Sequence, residues 1–242
     1  ESPSGNMRTI GLRKDGTASV TLRQGATIDT RGLWVNARID PADPAGFAFI
    51  DGGAVTLRSR DITIEADSRI DASSGAALLP DGKFNGGRGG DIALLASAML
   101  GDTGGVLALD GTLVSHGVTH GGSLSLATGG VVLIGDQQYD PGSSMAEEPG
   151  PSGSASVSPL DPLRLPADFF GQGFSRYTVN GLGGVVVAPD ARIEARMPVY
   201  WLGADAYGAP SGSDPSAVLS LRLPDTYTAN PVTGTLAQRA GV

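Results

Sequence analysis

The most specific chemical pattern in this chain is a single calcium-type motif at residues 86–94, Gly-Gly-Arg-Gly-Gly-Asp-Ile-Ala-Leu. It satisfies the consensus Gly-Gly-x-Gly-x-Asp-x-U-x, in which U is apolar and the carboxylate comes from Asp91. Calcium in such repeats lies between successive copies, because six or more oxygen ligands must come from two turns. The next glycine-rich turn, residues 121–130, has no aspartate at that place. We therefore expect no metal ion and no cofactor.

Carboxylates could also carry acid–base chemistry, which needs two or three of them in one cleft. The candidates are Asp29, Asp61, Glu65, Asp67, Asp71, Asp110 and Glu194. Alignment of the strands described below places Asp29, Asp71 and Glu194 at one outward position and Asp110 in a corner. Acids at outward and corner positions are expected for solubility and turn formation alone. We therefore expect no catalytic residue and interpret the chain as non-enzymatic.

Other chemical motifs are weak or missing. His116 and His120 are the only histidines, and the glycines around them indicate surface corners rather than a helix that could hold a metal. The chain has no Gly-x-Ser-x-Gly, no P-loop and no cysteine, so acyl and phosphoryl transfer lack their usual groups.

The aromatic residues lie beside the predicted loops, where they either pin the loops to the fold or form an exposed contact surface. We favour the pinning role. The residues concerned are Trp34, Phe47, Phe49, Phe169, Phe170, Tyr177, Tyr200 and Trp201.

Composition limits the protein class. Of 242 residues, 37 are glycine, while only 5 % are aromatic and 17 % are charged, which suits tight corners and stacked aliphatic strands. The net charge of −8 argues against a nucleic-acid partner, because phosphate binding needs clustered cations. No apolar run is long enough for a membrane span. The N-terminus has neither Met nor an apolar signal region, so we expect a processed chain or a fragment.

A repeated strand pattern organises the chain. Residues 55–75 contain three short alternating segments separated by polar corners, which predicts strand, corner, strand, corner, strand. Three other segments align with this stretch, beginning at Val20, Leu107 and Val185. The matching apolar positions are Ile28, Ile70, Leu113 and Ile193. Their spacing is about 40 residues or twice that, which we interpret as two coils of about 20 residues per unit.

Glycine pairs and loop-like segments divide the pattern. Pairs such as Gly52-Gly53 and Gly89-Gly90 precede alternating strands and indicate corners with close backbone approach. Residues 36–49, 76–84 and 136–166 are predicted surface excursions. Residues 166–174 predict a helical turn with an aromatic plug. The predicted divisions are an N-terminal extension (1–18), coils (19–135), a Pro/Ser/Gly-rich insertion (136–166), further coils with a cap (167–222) and a tail (223–242).

The segments GLWVN, IDGGAVTLRS, SRIDASSG, GGRGGDIALLA and GGSLSLATGG resemble the filamentous haemagglutinin family, the large exoproteins of bacterial two-partner secretion. The resemblance covers about residues 20–202. It implies an all-β fold, a right-handed parallel β-helix with loop insertions between coils. The Asn-Pro-Asn motifs of the family's secretion domain are absent, so the chain resembles an interior or distal segment.

The resemblance implies a secreted, surface-associated adhesin segment that presents binding loops. Its expected partners are a receptor or glycan on a host or neighbouring cell and the outer-membrane secretion partner of the parent protein. Two alternatives stay open. One is a carbohydrate-active β-helix enzyme, either a polysaccharide lyase or a glycosidase. The other is the stalk of a contact-dependent growth inhibition toxin.

Overall fold

The computed structural model describes residues 19–40, 49–96, 105–135, 161–189, 191–194, 196–223, 227–229 and 236–238. Strand residues outnumber helical ones, 42 % against 6 %, and most strands pair in parallel. The chain is therefore all-β, as predicted. The expected N-terminal extension and most of the predicted insertion lie outside the described residues.

Two parallel sheets carry the predicted repeat. The first contains β1 (Ser19–Leu22), β5 (Asp61–Ile64) and β10 (Leu107–Leu109), and the second contains β2 (Thr27–Asp29), β6 (Arg69–Asp71) and β11 (Thr112–Val114). In the second sheet Ile28 lies beside Ile70, and Ile70 lies beside Leu113. The predicted alignment of these three residues is confirmed. Ile70 and Leu113 are fully buried, so the apolar side chains stack from strand to strand.

The interpretation of each 40-residue unit as two coils of 20 is wrong. Val20 pairs directly with Ile62, 42 positions further along the chain. β5 and β6, which follow each other along the chain, belong to different sheets. In the first two sheets, neighbouring strands are therefore about 40 residues apart along the chain, because strands of other sheets lie between them in sequence.

A third parallel sheet holds the longest strands: β4 (Val55–Ser59), β9 (Ile92–Ala96), β12 (Ser123–Thr128) and β15 (Arg176–Gly181). Leu94 lies between Leu57 and Leu126 in register, and both Leu94 and Leu126 are buried. Together with the buried side chains of the first two sheets, these residues form the main hydrophobic core.

The fourth sheet departs from the sequence pattern. It contains β14 (Leu163–Leu165), β13 (Val132–Ile134) and β16 (Val185–Val187), in that spatial order. Leu163 and Leu165 are buried in the main core, so these residues form a core strand rather than part of the predicted insertion. The expected position of Ile193 is wrong. It lies outside the strands and is 42 % exposed.

The segment 76–84 is not a surface excursion. It begins with β7 (Ala76–Leu78), whose three residues are buried and which pairs in parallel with β3 (Trp34–Asn36). It ends in β8 (Phe84–Gly86), which turns back antiparallel to β7 through Gly82 at a positive φ of 81°. The hairpin turn between β7 and β8 needs a residue with positive φ. This explains Gly82, which the sequence pattern assigned to a surface loop.

The glycine pairs serve close backbone approach, as predicted. A Cβ at Gly52 would collide with the carbonyl oxygen of Ala72, and one at Gly90 would collide with that of Gly53. Both contacts are between backbones of different segments, which cannot shift without breaking sheet hydrogen bonds.

Residues 199–222, here called the C-terminal lobe, form an antiparallel unit. It contains β17 (Val199–Leu202), the short helix α1 (Pro215–Val218) and β18 (Leu219–Arg222). A second hydrophobic cluster joins it to β3 and β7; the cluster includes Trp34, Ala76, Leu78, Tyr200, Ala206, Val218 and Leu219. The predicted tail contains one further antiparallel pair, β19 (Tyr227–Ala229) with β20 (Leu236–Gln238).

Candidate functional site

A polar cleft of about 410 Å³ lies where the C-terminal lobe meets the outward face of β2 and β6. Strand alternation places Ile28 and Ile70 inward and their flanking polar residues outward. The lobe contributes one residue from β17 and one from α1. The lining residues are Thr27, Asp29, Arg31, Arg69, Asp71, Tyr200 and Ser216.

Arg31 joins the parallel strands to the lobe. It donates Nε and Nη2 to the two carboxylate oxygens of Asp29, at 3.0 and 2.7 Å, and Nη1 to Asp214 at 2.7 Å. The hydrogen bond from Arg31 lowers the pKa of Asp29, although burial acts in the opposite direction. Hydrogen bonds from the Ser216 hydroxyl and then from Arg31 lower the pKa of Asp214 to about 2. Both carboxylates are therefore ionised at neutral pH.

Arg69 and Asp71 form a second ion pair one layer away. Arg69 donates Nε and Nη2 to Asp71 Oδ2, at 3.2 and 2.8 Å, and the backbone N–H of Ser73 donates to Oδ1. The Asp71 side chain is only 7 % exposed, whereas that of Arg69 is 46 % exposed. Arg69 therefore offers its remaining N–H groups at the open side of the cleft.

A buried polar layer lies under the lobe. The Tyr200 side chain hydrogen-bonds to Ser73, and burial raises the pKa of its hydroxyl. The Tyr200 ring meets the edge of His116 at 5.7 Å between centroids. Burial lowers the pKa of His116, partly offset by a hydrogen bond to the backbone of Pro198. The expectation that His116 is a surface corner residue is wrong, because it is 8 % exposed beneath the lobe.

The predicted convergence of acids is confirmed in part. Asp29 and Asp71 lie side by side on β2 and β6. Glu194 is not with them; it forms ion pairs with Arg192 and Arg196 outside the strands. Its alignment with the other two acids is wrong because the segment around Ile193 does not form the predicted strand.

The remaining acids lie at corners or, for Asp61, at the first residue of β5. Asp61 accepts a hydrogen bond from the backbone N–H of Val106, and Glu65 and Asp67 accept from Gln24. Asp110 directly follows β10, as predicted for a corner. These contacts connect neighbouring layers, so the acids are structural at these positions.

The calcium motif is also used structurally. Asp91 Oδ1 accepts hydrogen bonds from the backbone N–H and the hydroxyl of Ser123, both at 2.8 Å. The backbone N–H lowers the pKa of Asp91 most. His120 Nδ1 lies 2.8 Å from the carbonyl oxygen of Gly121. Within the described ranges, no group of three or more His, Cys, Asp or Glu side chains could hold a metal ion.

The aromatic residues divide into buried and exposed sets. Phe169, Phe170 and Phe174 are buried in the main core around the 3₁₀ helix Ala167–Gly171, which confirms the predicted plug. Trp34 is fully buried and donates Nε1 to the carbonyl oxygen of Ala209. Phe49 and Trp201 are exposed, and Phe47 lies outside the described residues.

The sequence patterns missed Arg31, Arg69, Asp214 and Ser216 as parts of a site. Two signals were available. An arginine two positions from an aspartate lies on the same side of an extended segment, as in Arg69/Asp71 on β6 and in Asp29/Arg31 at the end of β2. In Asp214-Pro215, an aspartate precedes a proline at the first helical position, and Asp214 caps α1 by accepting from Ser216 N–H.

The cleft offers charged and hydroxyl groups for hydrogen bonding. Arg31 holds the Asp29 carboxylate in the ionised form, and Ser216 together with Arg31 does the same for Asp214. Guanidinium, carboxylate and hydroxyl groups lie next to each other, which suits a polar ligand with both donors and acceptors.

None of the helices in the described ranges is long and apolar enough to cross a membrane. No protein-family model matches this chain, and comparisons with curated proteins and with solved structures gave no match.

Proposed function

We propose that this chain is a non-catalytic segment of a secreted, surface-associated bacterial adhesin, built as a right-handed parallel β-helix. The observation that carries this proposal is the in-register column of apolar residues in the parallel sheets, repeated every 42 to 43 residues at the partly buried Ile28 and the fully buried Ile70 and Leu113. Such a column grows along one axis and gives a rigid rod. Crossovers between parallel strands are nearly always right-handed, which supports the proposed hand.

The state of the acids supports a binding role over a catalytic one. Asp29, Asp71 and Asp214 each accept hydrogen bonds from an arginine, and Asp29 and Asp214 have lowered pKa values. A glycosidase requires one carboxyl that keeps a proton for the leaving group. The alternative, a carbohydrate-active enzyme, predicts that the chain releases reducing ends from acidic polysaccharides. We expect no such release.

The cleft is the contact site that the proposal favours. Its half-exposed Arg69 and the hydroxyls of Thr27 and Ser216 would bind a polar group of a cell-surface glycan or receptor. A rigid scaffold lowers the entropy cost of holding these groups in place.

The test compares two exposed arginines that each pair with an aspartate. Arg69→Gln changes the cleft, and Arg88→Gln changes the pair with Asp51 elsewhere on the surface. Binding of the purified chain to host cells, to bacteria and to a glycan array is measured for both variants. Losing a charge-assisted hydrogen bond should weaken binding by roughly tenfold or more for Arg69→Gln. No binding by the unmodified chain, or equal losses in the two variants, would reject the cleft as the contact site.

A further inference from the structure

The C-terminal lobe reaches back over several layers of the parallel strands. The Tyr200 N–H donates to the Gly117 carbonyl oxygen at 2.9 Å, beyond β11. At the other end, the Gly212 N–H donates to the Trp34 carbonyl oxygen at 2.9 Å, on β3 in the first layer. The Asn36 side chain also donates to the Ala209 carbonyl oxygen. The lobe thus lies, as a strap, along one side of the parallel sheets, which are here called the stack.

His116 lies beneath this strap in surroundings that favour the neutral ring. Its hydrogen bond is to the backbone of Pro198, and Nδ1 is buried with no hydrogen-bond partner among the described residues. Gly173 packs against the same nitrogen so closely that a Cβ there would collide with it. A proton on Nδ1 would create a buried charged donor with no acceptor, which is costly.

The groups facing His116 do not remove that cost. Asp71 on β6 favours the protonated ring, and Arg69 on the same strand opposes it. Ser73 Oγ accepts from the His116 backbone N–H rather than from its ring. Tyr200, on the strap, presents a neutral ring. Further charged groups lie at the rim of the cleft, where Arg31 forms ion pairs with Asp29 and Asp214.

We propose that the C-terminal lobe is an acid-released strap: protonation of His116 at Nδ1 favours a state in which the lobe has lifted and water solvates the imidazolium. This inference does not depend on the proposed adhesive function. Release uncovers Trp34, which is fully buried, and the outward face of β2 and β6 that lines the cleft. Lifting removes Tyr200 from the ring, which lets water reach the imidazolium.

The direction of the pH effect follows from linkage. The uncovered ring titrates near its ordinary pKa of 6.5, while burial lowers the pKa of the covered ring. Docking is therefore strongest above pH 6.5 and weakens as pH falls below it, by up to about tenfold per pH unit in the docking equilibrium.

The two tryptophans make the strap measurable in the full chain. In a Trp201→Phe background, only Trp34 emits, and lifting the lobe should shift its emission to the red and increase quenching by acrylamide. We expect this change between pH 7 and 5, with the far-ultraviolet circular dichroism of the stack unchanged. Hydrogen exchange should rise over residues 199–222 in the same range.

Two histidine variants test whether protonation of His116 causes the pH transition. His116→Phe keeps an aromatic partner for Tyr200 but cannot be protonated, so the transition above pH 5 should disappear. His120→Phe, four positions away and partly exposed, should keep it. If His116→Phe folds poorly, His116→Gln replaces it, and the transition should again disappear. An NMR titration of the His116 ring in the parent chain then tests whether the ring is protonated over the same pH range. An unchanged transition in the His116 variants, no transition in the parent chain, or simultaneous loss of stack structure would overturn the proposal.

Discussion

In the parallel sheets, residues 42 or 43 positions apart lie side by side and repeat one apolar contact, whereas in the C-terminal lobe residues 175 or 183 positions apart make contacts that occur once. Loss of one contact in the sheets affects a column in which each layer supports the next. Loss of one contact in the lobe affects the attachment of that lobe alone. We therefore expect a substitution in the stack to destabilise the whole protein, and a substitution in the lobe to release only the lobe.

The largest expected effect is in the stack. Ile64 is fully buried on β5, between β1 and β10. Ile64→Asp buries a carboxylate without a partner and should cost about 3–5 kcal/mol of unfolding free energy. Chemical denaturation measures the loss. Thr56→Asp, at an exposed position of β4, is the control and should cost less than about 1 kcal/mol. A melting temperature of Ile64→Asp near that of the parent would contradict the layered core.

An effect of similar size, but confined to the lobe, is expected where the lobe attaches. Trp34 is buried against Tyr200, Val218 and Leu219. Trp34→Ala leaves a cavity and should cost about 3–5 kcal/mol of docking free energy. Because the parallel core is separate, limited proteolysis should cut residues 199–222 while the stack resists. Leu221→Ala, at an exposed position of β18, should leave the cleavage pattern unchanged. Cooperative unfolding of the whole Trp34→Ala chain would show that lobe and stack are one unit.

The smallest effect concerns the ion pair between lobe and stack. Asp214→Asn removes the charge that pairs with Arg31 but keeps an oxygen that can cap α1. The Asp214 side chain is 52 % exposed, so solvent screening limits the loss to about 0.5–1 kcal/mol. Since the pKa of Asp214 is about 2 when folded and 3.8 when unfolded, this contribution is present above about pH 4 and is lost as pH falls toward 2. Thermal melts of both proteins at pH 7 and pH 2 should differ only at pH 7. A difference that persists at pH 2 would indicate lost packing rather than lost charge.

The all-β class, the register of Ile28, Ile70 and Leu113, and the pairing of Asp29 with Asp71 were all predictable from the sequence. Each of these follows from a local alternation of apolar and polar residues that recurs along the chain. The prediction failed at Ile193, where the strand pattern is present but the segment turns away from the stack. The alternation of apolar and polar residues predicts which side chains share one face of a strand. It does not predict whether a neighbouring strand covers that face.

The sequence by itself determined the all-β class and the spacing of 42 to 43 residues between Ile28, Ile70 and Leu113, because apolar side chains that lie side by side need the same residue types at a fixed spacing. Only the tertiary structure decided that Arg31 meets Asp214, that Trp34 is covered by the lobe and that His116 is buried. These contacts join segments that do not repeat. Their energy comes from burial and charge pairing at the place where the lobe folds back, and local sequence patterns do not show which two segments meet there.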